Sequence, residues 1–130
     1  MAGYSETPLP KKLGMKPGSV VLVEGAPPSY SLPVDVTVAT RVTGSVDLIH
    51  LFTKSAAEME KKLRAWRERM RDDATVWVSW PKKSSKVPTD ITEDVIRAIA
   101  LPMGFVDVKV CAVDDTWSGL KLVIRKALRA

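Results

Sequence analysis

Apolar positions in this chain run together, alternate or recur at helical spacing in blocks that follow one another cleanly. Val76, Trp77 and Val78 form a β-branched and aromatic run that stops at Pro81. That is the pattern of a buried strand emptying into a polar, basic loop, here Trp80 to Val87. Ser19 to Glu24 is a continuous apolar run without alternation, as a strand covered on both faces of a parallel sheet reads. Val34 to Arg41 alternates, with Val34, Val36 and Val38 on one side, which predicts a half-buried strand near an edge. Val46 to Phe52 is the next strand, after a turn at Thr43-Gly44-Ser45.

Two helices are written in the other period. Ser55 and Glu58 stand three apart, a capping-box spacing, just before Ala56, Met59, Leu63, Trp66 and Met70, which recur at intervals of three and four. Glu58–Lys62 and Glu60–Arg64 sit four apart on the wet side. A second helix follows the basic loop, with Thr89 or Asp90 as its cap, Ile91, Val95 and Ile99 as its buried face, and Pro102 with Gly104 closing it. Pro8 to Gly14 reads as one helical turn, and Lys16-Pro17-Gly18 as a tight turn. Pro27 and Pro28 discourage a regular crossover helix after the first strand. Phe105 to Val113 and the alternating run around Leu120, Leu122 and Ile124 are separated by only Asp114 to Gly119, which forces an antiparallel hairpin.

These elements predict an α/β fold: a single Rossmann-like, three-layer domain over 1–130 with a mostly parallel sheet and an antiparallel C-terminal strand. Residues 1–15 are expected to be partly ordered and 127–130 frayed. Composition narrows the picture. With 130 residues, 45% of them hydrophobic, the chain has enough material for one core. Its longest apolar run, Gly44 to Phe52, is broken by Asp47 and His50. It falls well short of the ~20 residues of a membrane span. Cys111 is alone and the N-terminus lacks an apolar signal core, so a cytoplasmic protein without a disulfide is expected. Twenty Lys+Arg against 15 Asp+Glu give a net charge of +5, which favours anionic partners.

A mostly parallel sheet closed by an antiparallel last strand resembles the class I methyltransferase fold, and Lys16-Pro17-Gly18-Ser19-Val20-Val21-Leu22-Val23 looks like the run into its first strand. Four segments resemble a narrower, uncharacterised bacterial family known as domain of unknown function 3052. They are Lys16-Pro17-Gly18, Trp77 to Ser84, Thr89 to Asp94 and Asp114 to Leu120. That resemblance implies a fold and no established activity. S-adenosylmethionine binding in the larger class relies on a glycine-rich turn after the first strand and an acidic residue ending the second. Here the turn is Glu24-Gly25-Ala26-Pro27-Pro28 and the second strand ends at Thr40-Arg41. The chain has no asparagine, which excludes an Asn-Pro-Pro-Tyr loop. Ordinary methyl transfer, and any cofactor for it, is therefore not expected.

Other chemistries thin out quickly. One His and one Cys cannot furnish a structural zinc shell, so no metal is expected. His50 reads as a satisfied histidine within a strand, and Cys111 as a small mid-strand hydrophobe. Nucleophile-elbow and phosphate-loop signatures are both missing. What remains is the loop after the Trp77 strand. Lys82, Lys83 and Lys86 offer charge, Ser84, Ser85 and Thr89 offer hydroxyls, and Trp80 and Trp117 offer aromatic surface at the same predicted edge. Trp66 and Trp77 are assigned to the core. The leading expectation is a non-catalytic, methyltransferase-like binding module for a phosphate-bearing small molecule or nucleic acid. One alternative is a small enzyme built from Glu24, Asp114, Asp115 and Lys82. The other is an assembly or scaffold protein, with a homo-oligomer among the expected partners, using an exposed sheet edge or the Arg-rich helix from Glu58 to Arg71.

Overall fold

The computed structural model describes residues 8–129. Leu9–Leu13 forms a short helix (α1) with Pro8 before it and Gly14 closing it in a left-handed conformation, φ 90°. The strands are Val20–Glu24 (β1), Thr37–Val38 (β2), Leu48–Phe52 (β3), Thr75–Pro81 (β4), Phe105–Ala112 (β5) and Trp117–Ile124 (β6). Helix Ala56–Arg67 (α2) joins β3 to β4, and Glu93–Ala100 (α3) lies between β4 and β5. The sheet order is β2-β1-β3-β4-β6-β5. Pairings among β2, β1, β3 and β4 are parallel, whereas β6 is antiparallel to both neighbours. This is the mostly parallel α/β sheet with an antiparallel C-terminal hairpin that the sequence predicts. The tight hairpin inserts β6 between β4 and β5, so β5 again runs in the direction of β4.

Chain direction across the sheet decides which face each connection covers. From β3 to β4 to β5 the chain steps one way, so right-handed crossovers place α2 and α3 on the same face. There Met59, Leu63, Trp66 and Ile96 pack with Ile49, Leu51, Val76, Val78, Leu120 and Leu122 in one core. From β1 to β2 the chain steps the other way, and its connection, residues 25–36, carries no helix, in keeping with the two prolines. The second face is covered by that segment and α1, with Leu13, Met15, Val21, Leu48 and Trp77 forming a smaller cluster.

Several local expectations are corrected. The second strand shrinks from Val34–Arg41 to two residues, and Val34 and Val38, expected to be half buried, are exposed. Asp90 does not cap the helix that follows it; Thr92 does, accepting from the Val95 amide at 3.2 Å. The fully buried α3 positions are Ile96 and Ala100, with Val95 and Ile99 at the margin. On α2 the Glu60–Arg64 pair forms at 2.8 Å, but Lys62 leaves Glu58 to pair with Glu24 on β1. The last strand begins at Trp117, three residues earlier than its apolar alternation shows. A 3-10 turn at Lys126–Leu128 follows it, and the Arg129 side chain donates to the Ile124 carbonyl at 2.9 Å.

Candidate functional site

The direction reversal lies between β1 and β3, and in an open α/β sheet the crevice beyond the carboxyl ends of two such strands is where ligands settle. A cleft of about 500 Å³ opens at that point, lined by Gly25 and Pro27 after β1, Phe52, Lys54 and Glu58 around the start of α2, and Trp117. Gly25 has φ 72°, and a Cβ there would collide with the Phe52 carbonyl oxygen. Glycine at this turn thus lets β1 turn tightly against the end of β3.

A compact hydrogen-bond system builds the floor. Ser55 caps α2 by accepting from the Glu58 amide at 3.2 Å. The reciprocal half of the capping box runs through a neighbour: the Ser55 amide donates to Thr53 Oγ1 at 3.2 Å, and that hydroxyl donates to Glu58 Oε1 at 2.6 Å. Asp90 arrives from the loop before α3 and accepts from the Ala56 amide at 2.8 Å, while Thr89 Oγ1 donates to the Lys54 carbonyl at 2.7 Å. Thr89 and Asp90 therefore bind the two helix entries together. A hydroxyl already committed in this way is not free for a ligand.

The basic loop forms one 3-10 turn, Lys83–Ser85, ending at Lys86 with φ 61°. Ser85 Oγ donates to the Lys82 carbonyl at 2.6 Å and accepts from the Val87 amide at 3.2 Å. Lys83, Ser84 and Lys86 are exposed and Lys82 is half buried. Among the described residues none of these three lysines, nor Lys54, has an acidic partner. By contrast, Lys62, Arg64, Arg71 and Arg97 are all paired with carboxylates.

Trp80 and Trp117 share the rim and lie on opposite faces of the sheet. In the β4–β6 register Trp80 opposes Ser118 and Pro81 opposes Trp117. Directly opposed residues share a face and successive ones alternate. Trp80, 7% exposed, belongs to the core beneath the helices, with Val78 and Leu120. Trp117, 9% exposed, stands edge-on to Phe52 on the other face, their ring centroids 5.2 Å apart. The two indoles do not form a common stacking surface. Trp66 and Trp77 are both in the core, and Trp77 Nε1 donates to the Leu13 carbonyl at 2.9 Å.

The acidic candidates also separate. Glu24 lines a shallow groove against α2, whereas Asp114 lines a different cleft on the opposite face. Asp114 Oδ1 accepts from the Thr116 and Trp117 amides at 2.8 and 2.7 Å, which makes it the turn residue of the hairpin. Asp115 is exposed beside it. Glu24, Asp114, Asp115 and Lys82 thus do not converge on one point.

Sequence reasoning missed a buried polar chain. His50 is fully buried, with Nδ1 3.0 Å from the Tyr30 hydroxyl and Nε2 2.7 Å from Ser79 Oγ. Tyr30 and Phe52 pack about the same imidazole at centroid distances of 5.2 and 4.2 Å. Burial holds the His50 pKa down to about 3 and pushes the Tyr30 phenol upward, so both are neutral at physiological pH. Burial likewise raises the Cys111 thiol, against smaller opposing pulls from Lys12 and Lys109. A neutral histidine between two hydroxyls fits the expected satisfied residue. Among the described residues no cluster of metal-ligating side chains occurs, and no helix is long and apolar enough to cross a membrane.

Comparison with solved structures establishes the fold class. A Sulfolobus solfataricus protein classed among type 11 methyltransferases superposes with a TM-score of 0.60 at 16% identity, over 94% of this chain and 92% of that one. The fibrillarin pre-rRNA processing protein of Methanococcus jannaschii gives 0.55 at 12% identity, over 84% and 67%. LepI in complex with SAM gives 0.57 at 12% identity, over 90% of this chain and 39% of LepI. In LepI, and in the matched structure of LaPhzM, this chain spans only 39% and 35% of the length. No family model matches the chain, and no curated protein matches it by sequence. The fold is methyltransferase-like.

Proposed function

We propose that this methyltransferase-like domain is a non-catalytic binding module whose basic rim meets an anionic partner, a phosphate-bearing ligand or nucleic acid. One observation carries the reading: Lys54, Lys82, Lys83 and Lys86 all come from the loops after β3 and β4, without an acidic partner among the described residues, and Lys54 lines the switch-point cleft. Cations left unpaired together on one rim attract an anion by field as well as contact. Both tryptophans of the rim are buried, so recognition in this reading rests on charge and hydrogen bonding rather than base stacking. The single-glycine turn and the missing acid at the end of β2 support a non-catalytic role. Kinship with the bacterial family that Trp77 to Ser84 resembles, and a bacterial cytoplasmic setting, belong to the same proposal and rest on sequence features alone.

Lys82→Glu combined with Lys83→Glu should abolish retention of the protein on heparin or on nucleic acid while leaving the melting temperature where it was. In the unmodified protein the logarithm of affinity should fall with the logarithm of salt concentration, by about 0.9 for each duplex phosphate neutralised. Retention that survives the double reversal, or that does not weaken with salt, would remove the reading.

A further inference from the structure

On the face that lacks a crossover helix, a cleft of about 520 Å³ lies between α1, Ser29–Pro33 and the hairpin turn at Val113 and Asp114. Leu9, Met15, Leu32 and Val113 line it with the ring of Tyr30, whose hydroxyl is turned inward to His50. That volume suits a small organic molecule. Asp114 is the one carboxylate among the lining residues. Its Oδ1 is fixed by the Thr116 and Trp117 amides, and its other oxygen has no donor among the described residues. A carboxylate held rigidly beside apolar walls discriminates by charge: a neutral apolar guest would strip it of water without compensation, an anion would be repelled, and an ammonium group would pair with it.

We infer that this cleft is a second site, separate from the basic rim, and that it takes a small hydrophobic amine: an apolar ring or chain against Leu9, Met15, Leu32 and Tyr30, with the ammonium on Asp114. Lys12 is the nearby cation. Its Nζ donates to the Ala112 carbonyl at 3.0 Å and leaves the carboxylate unpaired, although its field trims the preference for an amine. The charge of this site is opposite to that of the rim, so the two select different ligands.

Phenethylamine and 2-phenylethanol share a ring and a chain and differ in the charged group, so titrating each into the full-length protein and following backbone amide shifts isolates the role of Asp114. Saturable shifts are expected at Ser29 to Leu32 and at Val113 and Asp114, with the amine binding roughly fivefold more tightly than the alcohol. Asp114→Asn keeps an oxygen to accept the turn amides and removes the charge, so it should bring the two affinities together. Ser31→Trp, at an exposed lining position, should fill the cleft and suppress both probes without changing the melting temperature. The inference is overturned by absent shifts, by shifts centred on Thr53 to Glu58 instead, by equal affinities in the unmodified protein, or by an amine preference that persists in Asp114→Asn.

Discussion

Under α2 and α3 the sheet presents Ile49, Leu51, Val76, Val78, Leu120 and Leu122, every one of them apolar. On its other face the same strands carry His50, Trp77 and Ser79, and their cover is a five-residue helix and a proline-rich segment. Apolar burial is non-directional, so two amphipathic helices are enough to close the first face. The second face carries buried polar atoms, each of which needs a specific partner. Trp77 Nε1 finds the Leu13 carbonyl, and His50 finds Tyr30 and Ser79, so α1 and the 25–36 segment are held by directed bonds as much as by area. The difference teaches that a thin cover suffices where hydrogen bonds supply the specificity that packed helices supply elsewhere.

The largest expected effect tests whether the thin side is energetically minor. Trp77→Ala should lower the free energy of unfolding by about 4 kcal/mol, at least as much as Leu63→Ala beneath the helices at about 3 kcal/mol. Trp77→Phe keeps most of the buried ring and strands the Leu13 carbonyl, and should cost about 1 to 2 kcal/mol. Urea unfolding of the three variants measures this directly. If Trp77→Ala costs under about 1 kcal/mol, α1 is a loosely attached strap and the comparison between faces fails.

Acid should separate the faces next. His50 is held neutral, with a pKa of about 3 against an ordinary 6.5, so the unfolded chain binds its proton first. Stability is therefore level above pH 6.5 and falls below it, by up to about 1.4 kcal/mol per pH unit, until the folded-state pKa is reached. The Asp47 and Asp107 carboxyls are also held below their usual value, but because their charged forms are favoured, Asp47 mainly by the Val20 amide and Asp107 mainly by Arg97, and their contributions are lost only below that usual value of 3.8. The window between pH 6.5 and about 4 thus belongs to His50. Denaturant midpoints across that window should decline in the native sequence and flatten in His50→Gln. An equal slope in both would place the acid sensitivity elsewhere.

The same contrast explains what could be read from sequence. The stripe on α2, the Ser55 cap, the helix-free crossover and the antiparallel hairpin are local features, set by residues within a few positions of one another, and all four are present. The face assignments of Trp80 and Trp117 depend on the β4–β6 register, and starting the last strand at Leu120 hides the three residues that put Trp117 opposite Pro81. Because side chains alternate with period two, that offset decides which side each indole takes. Tyr30, His50 and Ser79 are separated by 20 and 29 positions, and nothing in their own neighbourhoods marks them as partners. β2 fails for another reason. An alternation predicts a strand only where a neighbour pairs with it, and β1 reaches only Thr37 and Val38.

Asp90 offers the smallest and most local test. By position it belongs to α3, two residues before the Thr92 cap, yet its carboxylate serves the first turn of α2. Removing a cap typically costs about 1 kcal/mol. If the loop before α3 ties the two helix entries together, Asp90→Ala should destabilise the protein by that amount. Amide hydrogen exchange should then quicken at Ala56 and the α2 residues beside it, with Val95 and Ile96 unaffected. Thr92→Ala should produce the converse pattern, exposing the Val95 amide and sparing α2. Faster exchange confined to α3 in Asp90→Ala would mean that the carboxylate caps the helix it precedes. The helix-covered face would then be closed by packing alone, without the cross-link that Thr89 and Asp90 make between its two helices.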